Sequence, residues 1–160
     1  MTAIANHPHR VTSAIAGVRS ELSSVAEVPV WSMDADQTTD ALTEVRAAKA
    51  QLAELEARLL THADRTDVAA ESGATSTANW HAHATQTTRQ QSHRLMRTAH
   101  GLDTHEATRA ALAHGGVNVE QADVILHALD ELPADLDAEI MAKAEAHLLD
   151  LAHDHDAKRL

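Results

Sequence analysis

The sequence predicts an all-α protein, a multi-helix bundle of about seven helices with one long helix and a helix-turn-helix-like pair. Three observations lead there. Helix formers dominate, and the 160 residues include only five Gly and three Pro. Apolar residues recur at steps of three and four, and no segment alternates apolar with polar residues for long between turn signals. Capping and stopping residues bracket the periodic segments.

The first helix is expected over residues 9–26, between Pro8 and Pro29, with Val11, Ile15, Val18, Leu22 and Val25 along one face. A loop follows from Glu27 to Gln37, in which Trp31 is expected to pack. The long helix spans 39–70. Val45, Leu52 and Leu59 lie seven apart there, with Ala48, Leu55 and His62 three beyond each. This heptad-like seam is expected to face the core; a dimeric coiled coil is the alternative. Residues 1–38 therefore form an N-terminal helix and loop, and 39–160 the helical domain.

Thr75 or Ser76 can cap the next helix, which carries Ala78 and Trp80. A short polar turn leads to a helix from Thr88 to a stop at Gly101. Asp103 should cap the following one, with Glu106 at its third position and Gly115-Gly116 as its end. Asn118 should cap a helix closed at Pro133, whose Val124, Ile125, Leu126 and Leu129 are core. Asp135 should begin the last helix, with Leu136, Ile140, Ala144, Leu148 and Leu151 on one side. The abrupt ending AHDHDAKRL is expected of a domain cut from a longer chain.

Charge is uneven. The net charge is −11, yet no Asp or Glu occurs between Glu71 and Asp103, where about five would be expected from the overall frequency. Residues 73–116 carry net +2, against −5 before and −8 after them. At 100° per residue, Thr88, Ser92, Leu95, Met96 and Ala99 fall inward, while Gln90, His93, Arg94 and Arg97 fall outward, with Arg89 and His100 flanking. Arg and Gln match the edges of guanine and adenine, and a helix, short turn and helix is the layout of a groove reader. Arg89, Gln90, His93, Arg94 and Arg97 are accordingly the candidate nucleic-acid-binding residues. An acidic protein repels phosphate at long range, so such binding would be local, weak and salt-sensitive. A solvated polar face is the plainer reading of the same helix.

Other chemistries find little support. The chain has no cysteine, which excludes disulfides and thiolate chemistry. The histidine pairs His7/His9, His81/His83 and His153/His155 are spaced i,i+2, which points them apart on a helix, so no metal site is assigned. There is no phosphate-cradling glycine loop and no nucleophilic serine motif, so no catalytic residue and no cofactor are assigned. No signal peptide or membrane span is visible, and a soluble, cytoplasmic protein with no membrane partner is expected.

Three blocks then align with a known family: DVAAESGATSTANW at 67–80, RLMRTAHGLDTHEATRAALAHGGVNVEQADVILHALDELPADLD at 94–137, and AEAHLLDLAHDHDAKRL at 144–160. Preceded by the long Ala/Leu/Glu helix, they resemble the actinobacterial domain of unknown function 222. That domain forms the N-terminal part of many HNH endonucleases, the 13E12 repeat family. The sequence departs from the family pattern at His81, Gln86, Thr87 and Ser92, and these polar residues are expected to loosen the helix pair. The resemblance implies an all-helical module preceding a C-terminal nuclease domain, whose HNH motif is absent from these 160 residues. The expected function is a non-catalytic module assisting DNA engagement through helix 88–100. The alternative is an assembly module, for self-association or packing on the nuclease domain, without DNA contact.

Overall fold

The computed structural model describes residues 8–133 and 135–160. Among these are eight α-helices and no strand, as the periodicity requires. The chain divides into two compact units, residues 1–39 and 40–160.

In the first unit, α1 spans Arg10–Ser24, and its first turn is closed by His9 Nδ1 accepting from the Val11 amide. None of its residues is buried; Val18, Leu22 and Val25 are exposed. Trp31 lies in the short 3-10 turn Val30–Ser32 and is 85% exposed, against the expectation that it packs. Asp34 and Gln37 exchange backbone-to-side-chain bonds of 2.8 and 3.0 Å at the start of α2, Ala35–Arg65, a reciprocal cap.

The second unit contains most of α2 and everything after it. Asp67, in the left-handed region at φ 52°, separates α2 from the single turn α3, Val68–Glu71. The sequence reading runs the long helix through this break to residue 70. Next come α4 (Thr77–Thr85), α5 (Arg89–Thr104), α6 (Glu106–Ala113), α7 (Val119–Asp130) and α8 (Ala138–Asp154). Leu102, Leu112, Ile125 and Leu129 form the heart of the core, joined by Met96, Leu126 and Leu60. Ile125, Leu126 and Leu129 of α7 are thus core as expected, whereas Val124 is only half-buried and lines a hollow between α5 and α7.

The seam on α2 is not. Val45, Leu52 and Leu59 are 49%, 40% and 43% exposed, and the buried face is instead Ala50, Glu54, Ala57 and Leu60. Small side chains allow close approach: Gly115, closing α6 at φ +73°, sits where an added Cβ would lie 2.7 Å from the Ala47 Cβ. Arg46 donates to the Gly115 carbonyl at 3.0 Å, latching α2 onto the same turn. Glu54 is only 3% exposed and keeps its charge tolerable through Arg58, at 2.9 Å, and Arg109 from α6, at 3.3 Å.

Two boundaries also move for tertiary reasons. Gly101 does not stop α5, which runs on to Thr104; a Cβ there would stand 3.0 Å from the Leu126 Cδ1, so the glycine admits α7. Asp103 does not cap α6. His105 holds the cap position, and the buried Glu145 of α8 accepts from the Thr108 amide at 2.7 Å and from its hydroxyl at 2.8 Å. Asp137, rather than Asp135, caps α8. The far end of α8 is closed by Gln121, whose amide donates to the Ala152 and His155 carbonyls, each at 2.7 Å.

Candidate nucleic-acid interface

Local chemistry sets up the α4–α5 pair. Ser76 accepts from the Asn79 amide at 3.2 Å and starts α4; Thr88 accepts from the Gln91 amide at 3.2 Å and starts α5. Between them Gln86 takes the left-handed conformation at φ 57°, and the Thr87 amide bonds back to the Ala82 carbonyl at 3.1 Å. Three residues therefore turn the chain.

The polar residues expected to loosen this pair instead join it. Ser92 is 0% exposed, and its Oγ lies 3.0 Å from His81 Nδ1 and 2.9 Å from Thr87 Oγ1. Thr87 continues to Thr85 at 3.0 Å, and Thr85 donates to the His81 carbonyl at 2.7 Å. Every hydroxyl in this chain, from the buried Ser92 to the exposed Thr85, has a partner, so the residues tie the turn together. Glu56 Oε1 stands 3.6 Å from His81 Nε2, completing a serine, histidine and carboxylate in series. The order is that of a hydrolytic triad, but a hydroxyl with no exposed surface cannot attack a substrate, and this one is already shared by two neighbours.

Helix α5 is covered on two sides. Ser92, Met96, Ala99 and Leu102 are buried. On the flank facing α7, Arg94 grips Asp123 Oδ2 through Nε at 2.9 Å and Nη2 at 2.6 Å, while Thr98 donates to Oδ1 of the same carboxylate at 2.5 Å. Arg94 is therefore committed to α7, and a base edge would have to compete with a charge-assisted pair. His100 faces α2, 3.3 Å from Asp64 Oδ2.

The remaining four candidates, Arg89, Gln90, His93 and Arg97, are exposed and have no hydrogen-bond or ionic partner among the described residues. Their spacing of one, three and four places them on one stripe. The stripe borders two unlike hollows. One, of about 690 Å³, is framed by Thr75, Asn79, Trp80, His83, Thr87 and Arg89 and has no acidic residue in its lining. Asn79 Oδ1 is buried there without a partner, its amide nitrogen being taken by Thr75 at 2.7 Å. The other hollow, of about 600 Å³ between α5 and α7, mixes Arg94, Arg97 and Lys158 with Glu120, Asp123 and Asp130. The first hollow carries the charge of Arg89 with no acidic residue against it, whereas three basic and three acidic residues balance in the second.

Asp123 and Glu145 are the groups that sequence reasoning missed. Each lies on a helix remote in sequence from its partner, and only Arg94's guanidinium, in search of a carboxylate, hinted at the first. Among the described residues no cluster of three or more histidine or acidic side chains is arranged to hold a metal ion; His7 lies outside them. None of the described helices is long and apolar enough to cross a membrane.

No curated protein and no solved structure matches this sequence. A family model described as domain of unknown function (DUF222) matches residues 39–160, the whole of the second unit and about three quarters of the chain. The chain thus belongs to the DUF222 family.

Proposed function

We propose that this chain is a non-catalytic helical module that helps an HNH-type nuclease engage DNA through the outward stripe of α5. In this reading it acts in the cytoplasm, as part of an actinobacterial 13E12-type protein whose nuclease domain follows the module. Arg89 and Arg97 contact phosphate, Gln90 and His93 face the groove, and Arg94 holds α5 in place by gripping Asp123. The observation that carries the reading is the stripe itself: two arginines, a glutamine and a histidine, exposed and unpaired among the described residues, in a stretch free of acids. The acid-free hollow beside Arg89 supports it. The net charge of −11 opposes it at long range, so binding is confined to low salt.

The test is duplex binding by fluorescence anisotropy across a salt series. Two phosphate contacts give a log–log slope near −2, at roughly 0.9 per phosphate. Replacing Arg89 and Arg97 together with Glu should abolish binding and leave the circular dichroism unchanged, because neither side chain is buried. Replacing Arg10 and Arg19 of α1 together with Glu makes the same charge change elsewhere and should matter less. Absence of wild-type binding at about 25 mM salt removes the DNA reading, since screening is then weak.

A further inference from the structure

We propose that the outer face of α2, residues 42–62, is the docking surface for a second copy of this chain, with the two helices antiparallel. The face is defined by an inversion of size. Toward its own core, α2 turns mainly the small Ala47, Ala50 and Ala57, joined by Leu60, while the larger Val45, Leu52 and Leu59 stand outward at seven-residue intervals. Leu42 extends the stripe and is 66% exposed, and Leu55 flanks it, half-buried. Large aliphatic side chains repeated every seven residues along an exposed helix are what a partner helix requires, and they drift by only about 20° per repeat.

Size and charge select the occupant and its direction. In a parallel pair, like positions face one another, so Ala48 meets Ala48 and leaves a gap, and His62 meets His62. In an antiparallel pair the layers are Val45 with His62, Ala48 with Leu59, and Leu52 with Leu55, each formed twice by the two-fold axis. Each Ala48 then meets the larger Leu59, and each His62 meets the smaller Val45, so large and small side chains alternate across the seam. The flanking charges agree: Lys49 of one copy comes beside Glu56 of the other, again twice, and Lys49 has no ion-pair partner among the described residues. A self-complementary patch of this kind closes at two copies.

Sedimentation equilibrium of the full chain should give twice the 17.2 kDa monomer mass at tens of micromolar. Leu52→Asp should give a folded monomer with unchanged helix content, because Leu52 is exposed within its own chain. Lys49→Glu alone should weaken the dimer roughly tenfold, and adding Glu56→Lys should restore it, as reciprocal pairs require. Helix content should stay unchanged, because Glu56 is half exposed and gives up only its 3.6 Å approach to His81 Nε2. With no native cysteine, a single spin label at Glu44→Cys reports direction. Antiparallel helices place the two labels about 30 Å apart, from an offset of some twenty residues at 1.5 Å each. A wild-type monomer, a dimer that survives Leu52→Asp, an unfolded Leu52→Asp variant, a charge swap that fails to restore, or labels within about 15 Å, near the spacing of packed helices, would each overturn the proposal.

Discussion

Helices α2 and α7 are both amphipathic, and they use that property in opposite ways. In α7 the large residues Ile125, Leu126 and Leu129 are buried while Glu120, His127 and Asp130 face water. In α2 the buried face is mostly alanine, with Leu60 its one large aliphatic residue, while Leu42, Val45, Leu52 and Leu59 stand outside. A periodic stripe therefore identifies a face that needs covering, and leaves open who covers it. Where the inner contacts are small, the helix approaches its own domain closely, and the bulky stripe is left for another surface.

Three substitutions sharpen this contrast, all read by thermal or urea unfolding at concentrations low enough to hold the chain monomeric. Ile125→Ala should cost the most, about 2–5 kcal/mol, because it opens a cavity at a fully buried site. Ala50→Leu adds volume at a residue only 1% exposed, and should cost about 1–3 kcal/mol through overpacking. Leu52→Ala should cost under about 0.5 kcal/mol, the range of surface changes. The ordering is the test: enlarging an alanine of α2 hurts, and deleting its neighbouring leucine does not. If Leu52→Ala costs more than Ala50→Leu, the inner and outer faces have been assigned the wrong way round.

The same contrast shows what was legible in the sequence. Caps that act within three residues were legible. Asn118 caps α7 as expected, Ser76 is the one of the two candidates Thr75 and Ser76 that caps α4, and α5 starts at Thr88, which is itself the cap. Each accepts from the amide three positions on. The glycine at 115 ends α6 because its positive φ is a local necessity. Features that depend on a distant helix were not legible. Gly101 looked like a stop because the approach of Leu126, 25 residues later, is invisible in the local pattern. Asp103 looked like a cap because Glu145, 37 residues beyond Thr108, does that work. The candidate interface divides likewise. The outward placement of Arg89, Gln90, His93 and Arg97 follows from helical period alone, whereas the capture of Arg94 by Asp123 requires the packing of α5 on α7.

The hydroxyl chain at the α4–α5 turn, which runs from the buried Ser92 out to the exposed Thr85, sets an order on its protons. Thr85 spends its single proton on the His81 carbonyl, so it can only accept from Thr87. Thr87 has then spent its proton, and must accept from Ser92; Ser92 in turn must accept from the histidine ring. The circuit begins at His81 Nδ1 and returns to the carbonyl of the same residue, and it admits one direction only. With all four bonds made together, His81 carries hydrogen on Nδ1 whether its ring is neutral or charged. Neutral, it is therefore the less common of the two imidazole tautomers, with Nε2 bare on the side of Glu56. Thr87→Val would cut the circuit, free the Ser92 proton, and release the ring to choose either tautomer.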